Sequence, residues 1–257
     1  MFRRYSFDPH PPFQDRPRSE QPYSPSELFQ VVCAASTAIR QAGYGWYLFG
    51  SAAVYFRCPN HRRPGDIDLV VFPLAGQPPI YDAEKVKMEI QIRDPRFYRV
   101  TARTPGAPYT QFWFSFSNDS QHPNFTHSIK VDIALADGED FKVPRIPMKE
   151  LIVKPDHRSR EIPIMSSEGT FSVVPPFALL LMKLRGWYHD RTSAKFWLRR
   201  KIANDAVDIQ ALLHQVIKHH DTLDSPTQSW FPAWFTEQGK EHARDFLRRN
   251  PDISRRT

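Results

Sequence analysis

The stretch Leu48–Phe72, LFGSAAVYFRCPNHRRPGDIDLVVF, decides how the rest of the chain is read. An apolar run stops at Gly50-Ser51, a short helix-compatible segment SAAVYFR follows, and CPNHRRPG forms a polar, proline-containing loop. Asp66-Ile67-Asp68 then opens a second apolar run, DIDLVVF, which reads as a strand. Side chains alternate along a strand, so Asp66 and Asp68 share one face. Like charges held that close repel unless a cation or hydrogen-bond donors lie between them. Taken alone, the pair is either a solvated strand start after a glycine turn or half of a metal site.

Upstream, residues 1–23 are rich in Pro, Arg, Ser and Gln and read as an irregular arm. Ser24-Pro25-Ser26-Glu27 supplies a capping box with proline in the first turn. Leu28, Val31, Val32, Ala35 and Ile39 recur at helical spacing, and Gly43 ends the run. A short strand over WYLF leads into the Gly-Ser turn.

Downstream, residues 82–92 favour a helix, and FYRVTAR and YTQFWFSFS read as strands separated by the turn-rich TPGAP. SIKVDIALAD alternates Ile129, Val131, Ile133 and Leu135 against Asp132, which puts that acid on the opposite face of its strand. Short strands are expected at 151–153, 161–165 and 170–174. From Pro175 the character changes: PPFALLLMKLRGWYHDR and RRKIANDAVDIQALLHQVIKHH both read as helices. The expected organisation is an arm at 1–23, an α/β domain at 24–174 with a mixed sheet flanked by helices, and a helical region at 175–257. The segment after His220 carries Trp and Phe enough to pack, without a clear form.

Apolar content of 40% over 257 residues is enough for a sizeable core. No window is apolar enough to span a membrane, and the N-terminus lacks the apolar core of a secretory signal. Cys33 and Cys58 have no CxxC spacing, which argues against a disulfide framework or zinc cluster. These features lead us to expect a cytoplasmic or nuclear protein with no membrane partner. The net charge of +7 favours an anionic partner, although Arg3, Arg4, Arg16, Arg18, Arg248, Arg249, Arg255 and Arg256 fall in segments that read as solvated tails.

If Asp132 sits on a strand beside Asp66 and Asp68, three carboxylates converge. Oxygen-only ligands suit Mg²⁺ or Mn²⁺, and such ions can activate a hydroxyl and stabilise a pyrophosphate leaving group. A Gly-Ser turn opening a helix adds backbone N–H groups for a phosphate, with the Ser51 hydroxyl as a further donor. LFGSA lacks a Gly-x-Ser-x-Gly elbow, so Ser51 is not read as a nucleophile.

Gly50-Ser51, Asp66-Ile67-Asp68 and Asp132 within KVDIAL together resemble the three motifs of the polymerase-β-like nucleotidyltransferase superfamily. The resemblance implies a mixed sheet flanked by helices, metal binding by Asp66, Asp68 and Asp132, and a role for Asp132 in activating the acceptor. FALLLMKLRGWYHDR followed by KIANDAVDIQALL is similar to the C-terminal segment of abortive-infection-type (AbiEii-like) nucleotidyltransferases. That likeness implies a nucleotide-facing set of Lys183, Arg191, Lys201, Asp205 and Asp208. From spacing alone, Lys201, Asp205 and Asp208 lie on one helical face. Lys183, inside ALLLMKL, needs an anionic partner or a route to solvent. A triphosphate or the Asp205/Asp208 face would serve. The resemblance spans roughly residues 44–214. The loop CPNHRRPG is long for the family and lacks the Ser or Thr often found before the acidic pair.

The reading is a metal-dependent nucleotidyltransferase moving a nucleoside monophosphate from an NTP to a hydroxyl of RNA, including tRNA, of a protein or of a small molecule. The alternative is a non-catalytic nucleotide- or RNA-binding module of the same fold. Bland readings stand beside each residue: Asp132 as a surface acid, Lys183 snorkelling from a core helix, Asp205 and Asp208 as surface partners of Lys201. His214, His219 and His220 read as surface histidines, and QFWFSF as core.

Overall fold

The computed structural model describes residues 23–58, 61–101, 109–116, 127–136, 143–146, 151, 171–218 and 231–254. Helix α1 (Pro25–Gln41) starts at the Ser24 cap, where the Ser24 side chain accepts from the Glu27 N–H and the Glu27 carboxylate accepts from the Ser24 N–H. Its apolar stripe, Leu28, Val31, Val32, Ala35 and Ile39, is buried. The helix gives way through Gly43, whose φ of +82° a β-carbon would disfavour, to β1 (Tyr44–Phe49).

Helix α2 (Gly50–Arg57) follows β1 directly, and β2 (Asp66–Pro73) returns antiparallel to β1. Helix α3 (Ala83–Arg93), capped by Asp82, leads to β3 (Phe97–Thr101), β4 (Thr110–Ser115) and β5 (Ser128–Leu135). The strand order is β1-β2-β5-β4-β3. Only β2 and β5 run parallel; the other three pairings are antiparallel, so the sheet is mixed as expected. The aromatic strand serves the core: Phe112 and Phe114 are buried against Phe97, with ring centroids 5.4 and 4.9 Å away.

Of the short strands expected after β5, 161–165 lies outside the described residues. So do residues 152, 153 and 170, while 171–174 pairs only through an isolated bridge, Leu48↔Val173, with Leu48 N–H donating to Ser172 O and Val174 N–H to Leu48 O. Val173 N–H in turn donates to Leu151 O. This short pairing covers the outer edge of β1, which would otherwise present unpaired backbone groups.

The helical part comprises α4 (Pro176–Thr192), the single turn α5 (Phe196–Arg199), α6 (Ile202–Lys218), α7 (Ala233–Arg249) and the short α8 (Pro251–Ser254). Helix α4 packs on both α6 and α7, and α2 touches β1, β2, α4 and α6. At Gly239 α7 lies close against α4: a β-carbon there would stand 2.7 Å from Leu181 Cδ2. Buried side chains run without interruption from α1 through the sheet to Leu181, Trp187, Ile209 and Phe246. Among the described residues, no helix is long and apolar enough to cross a membrane.

Candidate active site

The parallel pairing of β2 with β5 sets Asp68 opposite Asp132 and Asp66 opposite Lys130. Partners in register point to the same side of a sheet, so the period-2 placement of each acid becomes a shared face. Asp66, Asp68 and Asp132 each offer a carboxylate oxygen, and the three oxygens lie within 4.8 Å of one another. Lys130 Nζ donates to Asp132 Oδ2 at 2.5 Å and offsets part of the negative charge. Burial, reinforced by Asp66 and then Asp132, pushes the Asp68 carboxyl up to about 8. A set of three oxygen donors this close fits a hard divalent cation, whose charge would reverse that shift.

The Gly-Ser turn is built against the same acids. Phe49, the last residue of β1, pairs with Asp68, so the chain turns into α2 directly beside that carboxylate. Gly50 has φ +66°, and a β-carbon there would stand 1.9 Å from Asp68 Oδ2. The turn therefore requires glycine on both conformational and steric grounds. No side chain caps the N-terminus of α2.

A second cluster adjoins the turn. Asp208, on α6, has no exposed surface, yet it meets three basic side chains. His61 Nε2 lies 2.7 Å from Oδ1, Arg62 donates through Nε to Oδ1 and Nη2 to Oδ2 at 2.8 Å each, and Lys183 Nζ is 2.7 Å from Oδ2. Ser51 Oγ donates to Asp208 Oδ2 at 2.8 Å and accepts from Arg62 Nη2 at 2.8 Å and from Lys183 Nζ at 3.0 Å. One donor and two acceptor sites exhaust a hydroxyl, so the Ser51 side chain is committed to this network. Lys183 also donates to Asp205 Oδ1 at 3.0 Å. Burial alone would raise the Asp208 carboxyl; the His61 bond, Lys183 and Arg62 outweigh it and hold it well below the usual range. Burial would likewise lower the Lys183 ammonium, but Asp205 and Asp208 hold it above its ordinary value.

Of the residues singled out from sequence, the structure groups Asp66, Asp68, Asp132 and Gly50 in one cluster, and Ser51, Lys183, Asp205 and Asp208 in the adjoining one. Arg191 and Lys201 belong to neither. Arg191 Nη2 donates to Asp245 Oδ2 on α7 at 2.5 Å, and Lys201 is exposed just before α6. His61 and Arg62 entered the sequence reading only as members of the loop CPNHRRPG, with no role assigned. The signal for both was a buried aspartate on an apolar helix stripe, which requires cations from somewhere. Asp245 was missed because its segment read as a basic tail. His214 is exposed, as expected; His219 and His220 lie outside the described residues.

No protein-family model matches the chain, and no curated protein matches it. Among solved structures, the chain is similar to an antigenic nucleotidyltransferase-like protein from Paracoccidioides brasiliensis, with a TM-score of 0.59 and 15% identity over 91% of this chain and 93% of that one. Terminal uridylyl transferase 4 from Trypanosoma brucei with bound CTP gives a TM-score of 0.28 and 13% identity over 85% of this chain and 65% of that one, too slight a likeness to carry weight. The five-stranded mixed sheet, its flanking helices and the helical C-terminal part thus constitute a nucleotidyltransferase-like fold.

Proposed function

We propose that the protein is a divalent-metal-dependent nucleotidyltransferase that moves a nucleoside monophosphate from an NTP to an acceptor hydroxyl. The observation that carries this reading is the convergence of Asp66, Asp68 and Asp132 within 4.8 Å, directly against the Gly50 turn. Bound by these three carboxylates, Mg²⁺ or Mn²⁺ would neutralise phosphate oxygens and lower the pKa of the acceptor hydroxyl.

The remaining work falls to the chain itself. Backbone N–H groups at the start of α2 are free of a side-chain cap and suit a phosphate oxygen. Lys183 is held protonated by Asp205 and Asp208, which keeps a positive charge ready for the triphosphate. Asp132 keeps 45% of its side chain accessible, which suits orientation of an incoming hydroxyl. Ser51 acts through position, tying α2 to Lys183 and Asp208. Catalysis in this scheme is positioning and charge compensation.

The finer reading, a nucleotidyltransferase of the abortive-infection type, assigns the nucleotide-facing role to Lys183, Arg191, Lys201, Asp205 and Asp208. Support comes from the bonds of Lys183 to Asp205 and Asp208. Arg191, engaged by Asp245, and exposed Lys201 would have to reach the nucleotide from outside that cluster.

The test is radiolabel transfer from each of the four α-labelled NTPs, with Mg²⁺, to total RNA, total protein and a small-molecule pool. Labelled product with the wild type and none with Asp66→Asn/Asp68→Asn supports the reading. Nucleotide binding without transfer under every condition would leave the non-catalytic module instead.

A further inference from the structure

A cleft of about 510 Å³ opens between α4 and α7, lined by Tyr188, Arg191, Glu241, Arg244, Asp245, Arg248 and Arg249. Four guanidinium groups there face two carboxylates, leaving positive charge in excess. Asp245 organises the wall: it accepts from Arg191 Nη2 at 2.5 Å, Arg248 Nη2 at 2.6 Å and Arg249 Nε at 3.1 Å. One buried carboxylate thus fixes three guanidinium planes around the cleft while leaving most of their donors unspent. Arg244, Arg248 and Arg249 remain exposed, the last two at 75% and 50% of their side chains. The Arg191 guanidinium lies 5.2 Å from the rings of both Trp187 and Tyr188, so it is held from the aromatic side as well.

We infer that this arginine-lined cleft binds the phosphodiester backbone of a single-stranded nucleic acid, which makes nucleic acid the acceptor class of the transfer proposed above. Guanidinium forks match phosphate oxygens in geometry, and several fixed in one concave wall suit a repeating anion. A concave cleft takes one flexible strand more readily than a rigid duplex. Trp234, exposed at the start of α7 and overlain by Arg185 at 5.4 Å, offers a base-stacking surface on the same pair of helices. Helix α4 carries both Lys183 and Arg191, eight residues and so about 12 Å apart along the helix axis. The inference rests on the transferase reading for the word acceptor; the binding surface itself does not.

The experiment is fluorescence anisotropy of a short labelled single-stranded RNA of mixed sequence against the full chain over a salt series. Arg244→Gln/Arg248→Gln is the variant, since Asp245 keeps Arg191 and Arg249. We expect at least tenfold weaker RNA binding and a salt slope shallower by about 1.4, as for two lost phosphate contacts. Thermal stabilisation by NTP with Mg²⁺ should be unchanged in that variant. A Lys85→Ala/Lys218→Ala control removes equal charge from exposed positions elsewhere. Equal RNA affinity and slope in wild type and arginine variant would overturn the inference. So would equal weakening by the lysine control, or a poly-glutamate peptide competing through the same arginines as tightly as RNA. If NTP with Mg²⁺ fails to stabilise the wild type while the arginine-dependent RNA binding persists, the transferase reading falls and the nucleic-acid surface stands.

Discussion

Gly50 lies so close to Asp68 that a β-carbon on the glycine would stand 1.9 Å from Oδ2. The Gly50 turn and the Asp68 carboxylate are therefore one steric unit, locked by the Phe49–Asp68 pairing between β1 and β2. Gly50→Ala is expected to lower stability by about 1–3 kcal/mol, from the positive φ together with the collision. It should also abolish divalent-cation stabilisation by displacing Asp68. Urea unfolding with and without Mg²⁺ checks both.

Asp68, pushed up to about 8, yields a pH dependence whose sign can be worked out. A folded-state value above the ordinary carboxylate value means that the native protein holds more protons than the unfolded chain between about pH 4 and pH 8. This group's contribution to stability therefore falls as pH rises across that window in metal-free protein. A divalent cation must displace the proton, so its apparent affinity should rise up to tenfold per pH unit and level off near pH 8. Calorimetric titration in two buffers of different ionisation enthalpy, which counts the protons released, checks this. A release that does not diminish toward pH 8 would contradict it.

Removing the Asp208 carboxylate leaves His61, Arg62 and Lys183 facing one another without their shared anion. Asp208→Ala should cost about 3–5 kcal/mol, the range for breaking a buried ion pair from one side. In the wild type the Asp208 carboxyl is held well below its usual range, so its contribution is present above about pH 4 and lost as pH falls through the depressed value. Acid denaturation of the two proteins should therefore converge at low pH. A constant gap at every pH would show that the difference does not come from the Asp208 charge, and coincident curves that the network contributes nothing.

Ending the chain at Val174 tests how far the α/β part depends on the helices. Ser51, His61 and Arg62 would lose Asp208, and α2 would lose its packing on α4 and α6. The expected outcome is a species that retains far-ultraviolet ellipticity but binds hydrophobic dye and unfolds without a sharp transition. A cooperative, dye-silent fragment would show that residues 24–174 stand alone.

Much of this was legible in the sequence, for identifiable reasons. The capping box at Ser24 and the stripe from Leu28 to Ile39 are local signals, and α1 follows them. Asp66, Asp68 and Asp132 could be assigned to strand faces by alternation, but the register that sets Asp68 beside Asp132 is a long-range pairing with no local signature. Lys183 within ALLLMKL announced its need for an anion, and Asp205 and Asp208 supply it. Asp208 on its apolar stripe signalled a need for cations, but not that His61 and Arg62, 147 and 146 residues away, would supply them. Helix α7 falls within the region expected to be helical, 175–257, but its aromatic and basic composition hid its bounds and its buried side, Phe235, Gly239, His242 and Phe246.

The position of β5 has a kinetic consequence. Among the described residues it is the last of the five sheet strands in sequence, yet it occupies the centre of the sheet, between β2 and β4. Its insertion joins the antiparallel β1–β2 and β3–β4 pairs, a non-local step of the kind that slows folding. The same step brings Asp132 up to Asp66 and Asp68, so the metal-free sheet closes around a proton that Asp68 keeps up to about pH 8. A divalent cation bridging the three acids, as proposed, would take the place of that proton, so that closing the sheet and completing the site become one event.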